Sequence, residues 1–385
     1  MTSDVVIIGG GVIGLSCAFY IARDAFGEES KKRIIVLDRE PVVGAGATGK
    51  NAGGIRAQFS DETNIRYSLV SIDVFERFEE ETGRQLEFHQ CGYLFLHRSQ
   101  EQVRLFAKQA ELQRSLGVAI DILKPDDILK LAPCLRVDDV LQASFSKHDG
   151  IADPGDVVNG YYDACRRAGV EIMTGHTVTG IDLAGGAVTA VRTDKEIIHT
   201  LVVVNAAGPY AKDIAALAGY DLPVEAYKRQ IVVSGPLDYI DEYFPMVVDV
   251  TSGVYFHRET PGLLMGWADP DVSPGYDESV DPEYTDEILM RTLDRLPRLE
   301  EAEIGRAWAG LYESTPDHRA VIGPAEGVNG FYLCNGFSGH GLMHAPAAGM
   351  VIADLIAGKT PRIDTTGFSP ERFSKGALIH EANVI

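Results

Sequence analysis

One βαβ unit at the start of the chain constrains the fold more than any other feature. A short β-branched run, Val5–Ile8, ends abruptly at three consecutive glycines, residues 9–11. Residues 12–22 have helical length and mostly apolar character, and a second buried-type run, Ile34–Leu37, closes on Asp38. Strand, glycine turn, helix, strand and acid within about 35 residues predict one unit of a parallel sheet.

The glycine spacing of this turn predicts a dinucleotide site. Gly9 allows the tight turn, Gly11 lets a diphosphate approach the backbone, and Gly14 lets the helix pack closely on the strand. The diphosphate would lie on the free amides that open the helix. Asp38 closes the second strand, where a carboxylate can accept hydrogen bonds from ribose hydroxyls. This pattern fits NAD and FAD equally.

Two further glycine-rich segments favour FAD. Residues 44–54 hold five glycines without a hydrophobic period, so their backbone can lie against a flat, bulky ligand; a merely flexible loop is the alternative. Residues 336–341 follow a buried-type strand and precede a helix, whose positive end suits the pyrimidine side of a flavin, where negative charge builds up on reduction. Two such positive helix ends at opposite ends of the chain, after residues 9–11 and after residues 336–341, fit one long dinucleotide better than a mobile nicotinamide.

Composition excludes several other classes of protein. The 385 residues are 45% hydrophobic and 24% charged, which is ordinary for a globular chain of two domains. A net charge of −21 argues against nucleic acid or an anionic membrane as the main partner. Five scattered cysteines without C-x-x-C spacing favour a reducing setting and no metal site. We expect no membrane-spanning helix, because no apolar run approaches 18 residues.

The remaining pattern predicts an α/β fold with two discontinuous domains. A Rossmann-type FAD-binding domain, a parallel sheet flanked by helices, is expected from residues 1–85, 147–217 and 318–385. An inserted, mainly antiparallel α+β substrate domain is expected from residues 86–146 and 218–317. Across both domains the pattern predicts helices over 63–82, 99–116, 157–168, 283–296 and 343–357, and a hairpin over 178–193.

Five motifs together resemble the FAD-dependent D-amino-acid oxidase, glycine oxidase and sarcosine oxidase superfamily over essentially the whole chain. They are residues 6–14, 46–54, 204–208, 308–311 and 336–341, and the similarity is nearest to the sarcosine oxidase beta-subunit and proline dehydrogenase branch. The resemblance implies oxidation of a Cα–N bond, with hydride passing to flavin N5 and later hydrolysis of the imine.

The cofactor-binding residues that these motifs and the resemblance imply form one set. They are Gly9, Gly11, Val12, Ile13, Gly14, Asp38, Arg39, Gly46, Ala47, Thr48, Asn51, Ala52, Gly53, Gly54, Val178, Ala206, Ala207, Gly208, Gly310, Gly336, Ser338, Gly339, His340, Gly341, Leu342 and Met343.

Two departures from the superfamily pattern bear on the chemistry. Monomeric sarcosine oxidases tether the flavin through a cysteine where this chain has Gly310, so FAD is expected to be non-covalent. They also carry an oxygen-assisting lysine where this chain has Met343. A cation beside the flavin would stabilise superoxide and a thioether cannot, although plain packing is an alternative role for this methionine. The missing lysine favours a dehydrogenase over an oxidase.

Candidate substrate contacts come from three segments. Tyr255 and His257 alternate on a strand similar to the one that crosses above the flavin in the superfamily, so both side chains point to one face; a surface-facing pair is the alternative. Arg56 follows the flavin loop and could pair with a substrate carboxylate, or form a structural ion pair. Tyr312 replaces the arginine of D-arginine-type dehydrogenases. His340 is expected to have a structural or cofactor-polarising role.

The sequence therefore predicts a cytoplasmic FAD-dependent amino-acid or amine dehydrogenase, with peripheral association with a membrane left open. The expected substrate is a small secondary amino acid such as proline or sarcosine, with quinone, dye-type acceptor, partner subunit or oxygen as electron acceptor. Oxidation of a 2-hydroxy acid or glycerol phosphate, and a role as one subunit of a hetero-oligomeric amine dehydrogenase, are the alternatives.

Overall fold

The computed structural model describes residues 1–27 and 30–383. Within these ranges the strands are β1 Val5–Ile8, β2 Ile34–Leu37, β3 Gly54–Ile55, β4 Phe88–His89, β5 Tyr93–His97, β6 Asp121–Leu123, β7 Gln142–Ser146, β8 Gly150–Ala152, β9 Glu171–Met173, β10 Val178–Ala184, β11 Ala187–Thr193, β12 Ile197–His199, β13 Val203–Asn205, β14 Glu225–Ser234, β15 Met246–Asp249, β16 Val254–Glu259, β17 Gly262–Trp267, β18 Ile304–Ser314, β19 Val321–Pro324 and β20 Phe331–Asn335.

The helices of the same ranges lie between these strands. They are α1 Val12–Tyr20, α2 Glu62–Glu76, α3 Phe78–Thr82, α4 Gln100–Ser115, α5 Pro125–Leu131, α6 Pro154–Arg167, α7 Ala211–Leu217, α8 Pro282–Arg295, α9 Gly341–Ile356 and α10 Glu371–Ser374. Among these described helices, none combines the length and the apolar character that crossing a bilayer requires.

A six-stranded sheet forms one half of the framework. Its order is β19-β20-β13-β1-β2-β9, and every neighbouring pair is parallel except β19 with β20. Val5 and Ile7 of β1 pack with α1 and α9, whereas Val6 and Ile8 pack toward α7 and the small sheet β10-β11-β12. Both faces are buried, which explains why these strands are continuous apolar runs.

An eight-stranded sheet forms the other half. Its order is β18-β14-β17-β16-β15-β5-β7-β6, and its neighbours are antiparallel except β15 with β5. On one face Leu94 and Phe256 belong to the apolar core shared with α5 and α8. The opposite face carries Tyr93, Phe95 and Tyr255 in a separate cluster. This second face provides the aromatic side chains of the candidate site described below.

The predicted fold class is confirmed, with local corrections. The predicted helix over 63–82 is two helices, because the backbone at Arg77 leaves the helical region (φ −116°, ψ 28°) between α2 and α3. The first predicted helix continues past α1 as a π-helical turn, Ile21–Phe26. The six-stranded sheet draws on the predicted FAD-binding segments and the eight-stranded sheet on the predicted substrate-binding segments; the domain boundaries themselves stay a prediction.

The crossing of α1 and α9 depends on a glycine. A Cβ on Gly349 would lie 2.4 Å from the Ser16 Oγ and 2.8 Å from the Ser16 carbonyl carbon. The Ser16 hydroxyl donates to the Ala345 carbonyl oxygen at 2.7 Å, so the helices cannot separate without losing this bond. We expect Gly349→Ala to lower the free energy of unfolding by roughly 1–3 kcal/mol through overpacking.

Chemical denaturation of the two variants Gly349→Ala and Gly275→Ala checks this prediction. A Cβ on Gly275 meets open space, so that variant should keep nearly the wild-type stability. Equal stability of both variants would contradict the packing account.

Candidate active site

A cavity of about 410 Å³ opens at the carboxyl ends of the parallel strands. In an open parallel sheet, ligands bind at this edge, where the loops leave the strands. Four segments far apart in the sequence line it: the turn after β1, residues 45–52, the turn after β13 and the turn before α9. The three glycine-rich segments singled out in the sequence therefore converge on one cavity.

The turn after β1 is shaped by two glycines. Gly9 has φ +114°, and a Cβ there would lie 2.2 Å from the Ala206 carbonyl oxygen. A Cβ on Gly14 would lie 1.8 Å from the Gly9 carbonyl oxygen. Helix α1 is thus seated directly on its strand, with Gly11 as its N-cap. Gly11 offers no side chain to cap the first amides, and the Val12 amide donates to the Thr48 Oγ1 at 3.2 Å. The N-terminus of α1 lines the cavity and is suited to an anion.

Asp38 holds this turn and lines the cavity. Its Oδ2 accepts a hydrogen bond from the Gly10 amide at 2.6 Å, and its Oδ1 accepts one from the Glu40 amide at 2.8 Å. Burial raises the pKa of the carboxyl, against these two hydrogen bonds. Beside it, the Arg39 guanidinium lies 3.6 Å from the centre of the Tyr210 ring. This end of the cavity is suited to a nucleoside.

The loop over residues 44–54 is clamped by the eight-stranded sheet. The indole Nε1 of Trp308 donates to the Lys50 carbonyl oxygen at 2.9 Å, and the His257 Nε2 lies 3.0 Å from the Ala52 carbonyl oxygen. A Cβ on Gly310 would lie 2.9 Å from the Lys50 Cβ. Lys50 also pairs with Glu278 at 2.7 Å. The loop is therefore held in place, which disfavours the alternative of a merely flexible segment.

The turn before α9 has a constrained backbone. Gly336 and Gly339 have φ of +71° and +94°, and Ser338 between them has φ +52°. Such a φ is uncommon for a residue with a side chain. The Ser338 amide donates to the Glu313 carbonyl oxygen at 2.8 Å, which helps to hold the turn. Helix α9 then begins at Gly341 and presents its N-terminus at this end of the cavity.

Most predicted cofactor-binding residues line this cavity. They are Gly9, Gly11, Val12, Ile13, Asp38, Arg39, Gly46, Ala47, Thr48, Asn51, Ala52, Val178, Ala206, Ala207, Gly208, Gly310, Gly339, Gly341 and Leu342. Gly14, Gly53, Gly336 and Ser338 shape the turns behind it.

A second, smaller cavity of about 50 Å³ adjoins the first, and Asn51, Ala52, Tyr255, Tyr312 and Gly339 line both. The other residues around it are Gly54, Arg56, Tyr93, Met246, His340 and Met343. Arg56, Tyr255 and Tyr312, predicted as substrate contacts, thus come together with Met343, which stands in place of the oxygen-assisting lysine. His340, Met343 and Gly54, predicted to bind the cofactor, line this smaller space.

Arg56 is fully buried at the wall of the small cavity. Its guanidinium donates to the carbonyl oxygens of Gln58 and Asn383, and its Nη2 lies 3.2 Å from the His340 Nε2. It also lies 4.1 Å from the centre of the Phe59 ring. These partners are neutral, so the alternative of a structural ion pair is wrong. Burial lowers the pKa of Arg56, and the nearby Tyr93, Glu381 and Asp149 offset part of this effect without contacting the guanidinium as hydrogen-bond partners.

His257 departs from its predicted position. Its side chain is buried, so a surface-facing Tyr255 and His257 pair is excluded. Its ring nitrogens face the carbonyl oxygens of Arg258 and Ala52, at 2.7 and 3.0 Å, and it lies behind the loop instead of lining either cavity. Burial lowers the pKa of His257 to about 4. A neutral ring here positions the loop and does not reach a substrate.

The geometry can be compared with known proteins. A family model described as "FAD dependent oxidoreductase" matches residues 4–355. The chain belongs to this family. The FAD-dependent oxidoreductase domain-containing protein 1 of Xenopus laevis is 31% identical over 438 residues, covering 100% of this chain and 85% of that protein.

Two other similar proteins concern the predicted sarcosine oxidase beta-subunit and proline dehydrogenase branch. Sarcosine oxidase subunit beta of Arthrobacter sp is 27% identical over 384 residues, with 98% of this chain and 93% of that protein covered. The crystal structure of L-proline dehydrogenase from P. horikoshii matches with a TM-score of 0.91 and 32% identity, covering 98% of this chain and 99% of that one. The predicted resemblance is confirmed, and the protein is an FAD-dependent oxidoreductase.

The residues of the large cavity fit FAD. The glycine turn leaves room where any side chain would collide with backbone, and it turns free amides toward the cavity. Asp38 and Arg39 lie at the β2 end, and the N-terminus of α9 lies at the other. When bound, FAD supplies a two-electron acceptor. The residues that line the large cavity would hold it, and the small cavity adjoins that space.

Several residues of the two cavities were missed in the sequence. Tyr93 and Met246 line the small cavity, and Tyr210 and Glu313 line the large one. Tyr93 and Met246 lie within ordinary apolar strands, so nothing in the local pattern distinguishes them from core. Glu313 could have been identified from the sequence, because it is an acid inside a strand that is otherwise mostly apolar or small.

Glu313 is buried at the end of β18. Its Oε1 accepts a hydrogen bond from the Phe337 amide at 3.3 Å, and within the described residues its Oε2 has no hydrogen-bond partner. Burial raises the pKa of this carboxyl from 4.5 to about 7. The folded protein therefore holds this proton more tightly than the unfolded chain does. The resulting stability is complete below the unfolded pKa and is lost as the pH rises through about 7.

We expect Glu313→Gln, which resembles the protonated acid, to remove this pH dependence. The stability of the variant apoprotein relative to the wild type should rise by roughly 3 kcal/mol between about pH 5 and about pH 8.5. Urea unfolding across that range measures it. Glu303→Gln removes an exposed carboxyl from the same region and should show no such trend. A Glu313→Gln difference that stays constant with pH would contradict the assignment.

Proposed function

We propose that this protein oxidises the Cα–N bond of a small secondary amino acid, such as proline or sarcosine, using non-covalently bound FAD. The observation that carries the proposal is the small cavity, where one buried cation and several aromatic side chains adjoin the cofactor cavity. The printed names of two relatives, a proline dehydrogenase and a subunit of sarcosine oxidase, support it.

Arg56 is the group that would bind the substrate carboxylate. A guanidinium is suited to a planar carboxylate, because it offers several N–H donors in a fixed fork. The Arg56 Nε has no hydrogen-bond partner among the described residues. A substrate anion would therefore supply a partner for this N–H and a negative charge in direct contact, which none of the hydrogen-bond partners of Arg56 provides. This favours an amino acid over an amine that lacks a carboxylate.

The substrate amine would enter the cavity uncharged. The described residues that line the small cavity include no Asp or Glu, so no carboxylate there would offset the repulsion between an ammonium group and the Arg56 guanidinium. Burial and Arg56 hold the pKa of His340 well below its usual range, and burial raises the pKa values of Tyr93, Tyr255 and Tyr312. These side chains keep one charge state near neutral pH. The site thus selects a neutral amine, whose lone pair assists removal of hydride.

The size and walls of the cavity favour a compact substrate. Tyr93, Met246, Tyr255 and Tyr312 enclose a space of about 50 Å³. Aromatic and thioether walls accept an aliphatic ring or a methyl group more readily than a polar side chain. Tyr312 stands where D-arginine-type dehydrogenases carry an arginine, and this difference disfavours a substrate such as D-arginine.

Anaerobic reduction of the flavin tests this proposal. The purified protein should be yellow and should release FAD on acid precipitation, as a non-covalent flavoprotein does. L-Proline and sarcosine should bleach the flavin spectrum under anaerobic conditions, while lactate and glycerol 3-phosphate should leave it unchanged. Bleaching by the hydroxy acid or by glycerol 3-phosphate, with no response to the amino acids, would overturn the proposed substrate class.

Replacing the buried guanidinium tests the carboxylate contact. We expect Arg56→Met to lower kcat/KM for L-proline by about a hundredfold, because a charged hydrogen-bonded pair is lost. The activity with pyrrolidine, which has the same ring without the carboxylate, should change little. Arg192→Met replaces an exposed arginine paired with Asp182 and should leave both substrates unaffected. An equal loss for proline and pyrrolidine would show that Arg56 does not recognise the carboxylate.

Met343 bears on the electron acceptor. Its buried side chain lines the small cavity beside the N-terminus of α9. We expect Met343→Lys to raise the rate at which the reduced enzyme reacts with oxygen, because an ammonium group stabilises superoxide as it forms. Met343→Leu, which keeps the packing, should react like the wild type. Stopped-flow reoxidation in aerated buffer measures both. An unchanged rate in the lysine variant would reduce Met343 to a packing role.

A further inference from the structure

Glu313 is a buried acidic group that the proposed reaction does not use. It lines the cofactor cavity with more than nine-tenths of its surface covered. One oxygen is held by the Phe337 amide, and the other, Oε2, lacks a partner among the described residues. Its pKa is set by burial and by the Phe337 and Gly336 amides, so no cation neutralises it. A buried acceptor of this kind needs a donor.

The position of Glu313 along the sheet indicates which part of FAD it meets. The strand order β20-β13-β1-β2 places the Asp38 end at β2 and the diphosphate turn at β1. The Glu313 carboxyl lies at the exits of the next two strands. A Cβ on Gly208, after β13, would be 3.8 Å from its Oε2, and the Phe337 amide, after β20, donates to its Oε1. The chain of FAD that runs from the diphosphate to the flavin end must cross this point.

The part of FAD between its diphosphate and its flavin carries groups that can hydrogen-bond to the unpaired Glu313 Oε2. A carboxyl group would repel the diphosphate, which belongs on the amides of α1 instead. The ribityl chain carries hydroxyl groups, which can donate to an ionised carboxylate or accept from a protonated one. We propose that Glu313 is a cofactor-binding residue whose Oε2 forms a hydrogen bond with a ribityl hydroxyl of FAD. This assignment rests on the bound cofactor and is independent of the amino-acid substrate.

Titration of apoprotein with FAD and with FAD analogues that each lack one ribityl hydroxyl tests this proposal. Quenching of flavin fluorescence gives each Kd. The wild type should bind one analogue about tenfold or more weakly than FAD. Glu313→Leu should bind FAD weaker by a similar factor and should no longer distinguish that analogue from FAD. Glu313→Gln keeps hydrogen-bonding groups and should retain the discrimination in part.

Two comparisons keep the result decisive. Glu303→Gln should bind FAD and every analogue like the wild type. Thermal unfolding of each apoprotein shows whether a variant is folded before its Kd is measured. A folded Glu313→Leu apoprotein that binds FAD with the wild-type Kd would overturn the proposal. So would a variant that binds FAD more weakly yet keeps the full wild-type discrimination among the analogues, because its role would then be confined to holding the Phe337 amide.

Discussion

The contact between the first strand and the first helix determines the position of everything else in this site. A Cβ on Gly14 would lie 1.8 Å from the Gly9 carbonyl oxygen, and a Cβ on Gly9 would lie 2.2 Å from that of Ala206. Backbone thus packs on backbone where β1, α1 and the turn after β13 meet. This close approach brings the N-terminus of α1 to the sheet edge, and it sets the distance at which a diphosphate can bind.

The second sheet completes the site by holding a loop and by supplying one wall. Trp308 and His257 fix the carbonyl groups of Lys50 and Ala52, so the loop that faces the flavin end is positioned from the side opposite to the cofactor. The same sheet contributes Tyr93 and its neighbours to the small cavity. The two cavities are therefore linked through packing, because one loop borders both.

The fold and the cofactor cavity were largely predictable from the sequence, since both depend on local rules. Glycines at fixed spacing between an apolar strand and a helix are typical of a dinucleotide turn, and Gly9 and Gly14 are needed for steric reasons that act at close range. The small cavity was harder to predict. Tyr93 and Met246 reach it only through the pairing of β5 with β15, and His257 is turned away from it by a carbonyl group in a loop 205 residues away. Contacts of that sequence separation leave no local pattern.

The central claim is that one FAD and one substrate carboxylate lie side by side across these two cavities, with Arg56 holding the carboxylate. A crystal structure of the yellow protein with a carboxylate inhibitor that cannot be oxidised tests it most directly. We expect the isoalloxazine beside the N-terminus of α9 and the inhibitor carboxylate on the Arg56 guanidinium, enclosed by Tyr255 and Tyr312. An inhibitor carboxylate bound away from Arg56, or an isoalloxazine outside the space between the two sheets, would contradict this claim.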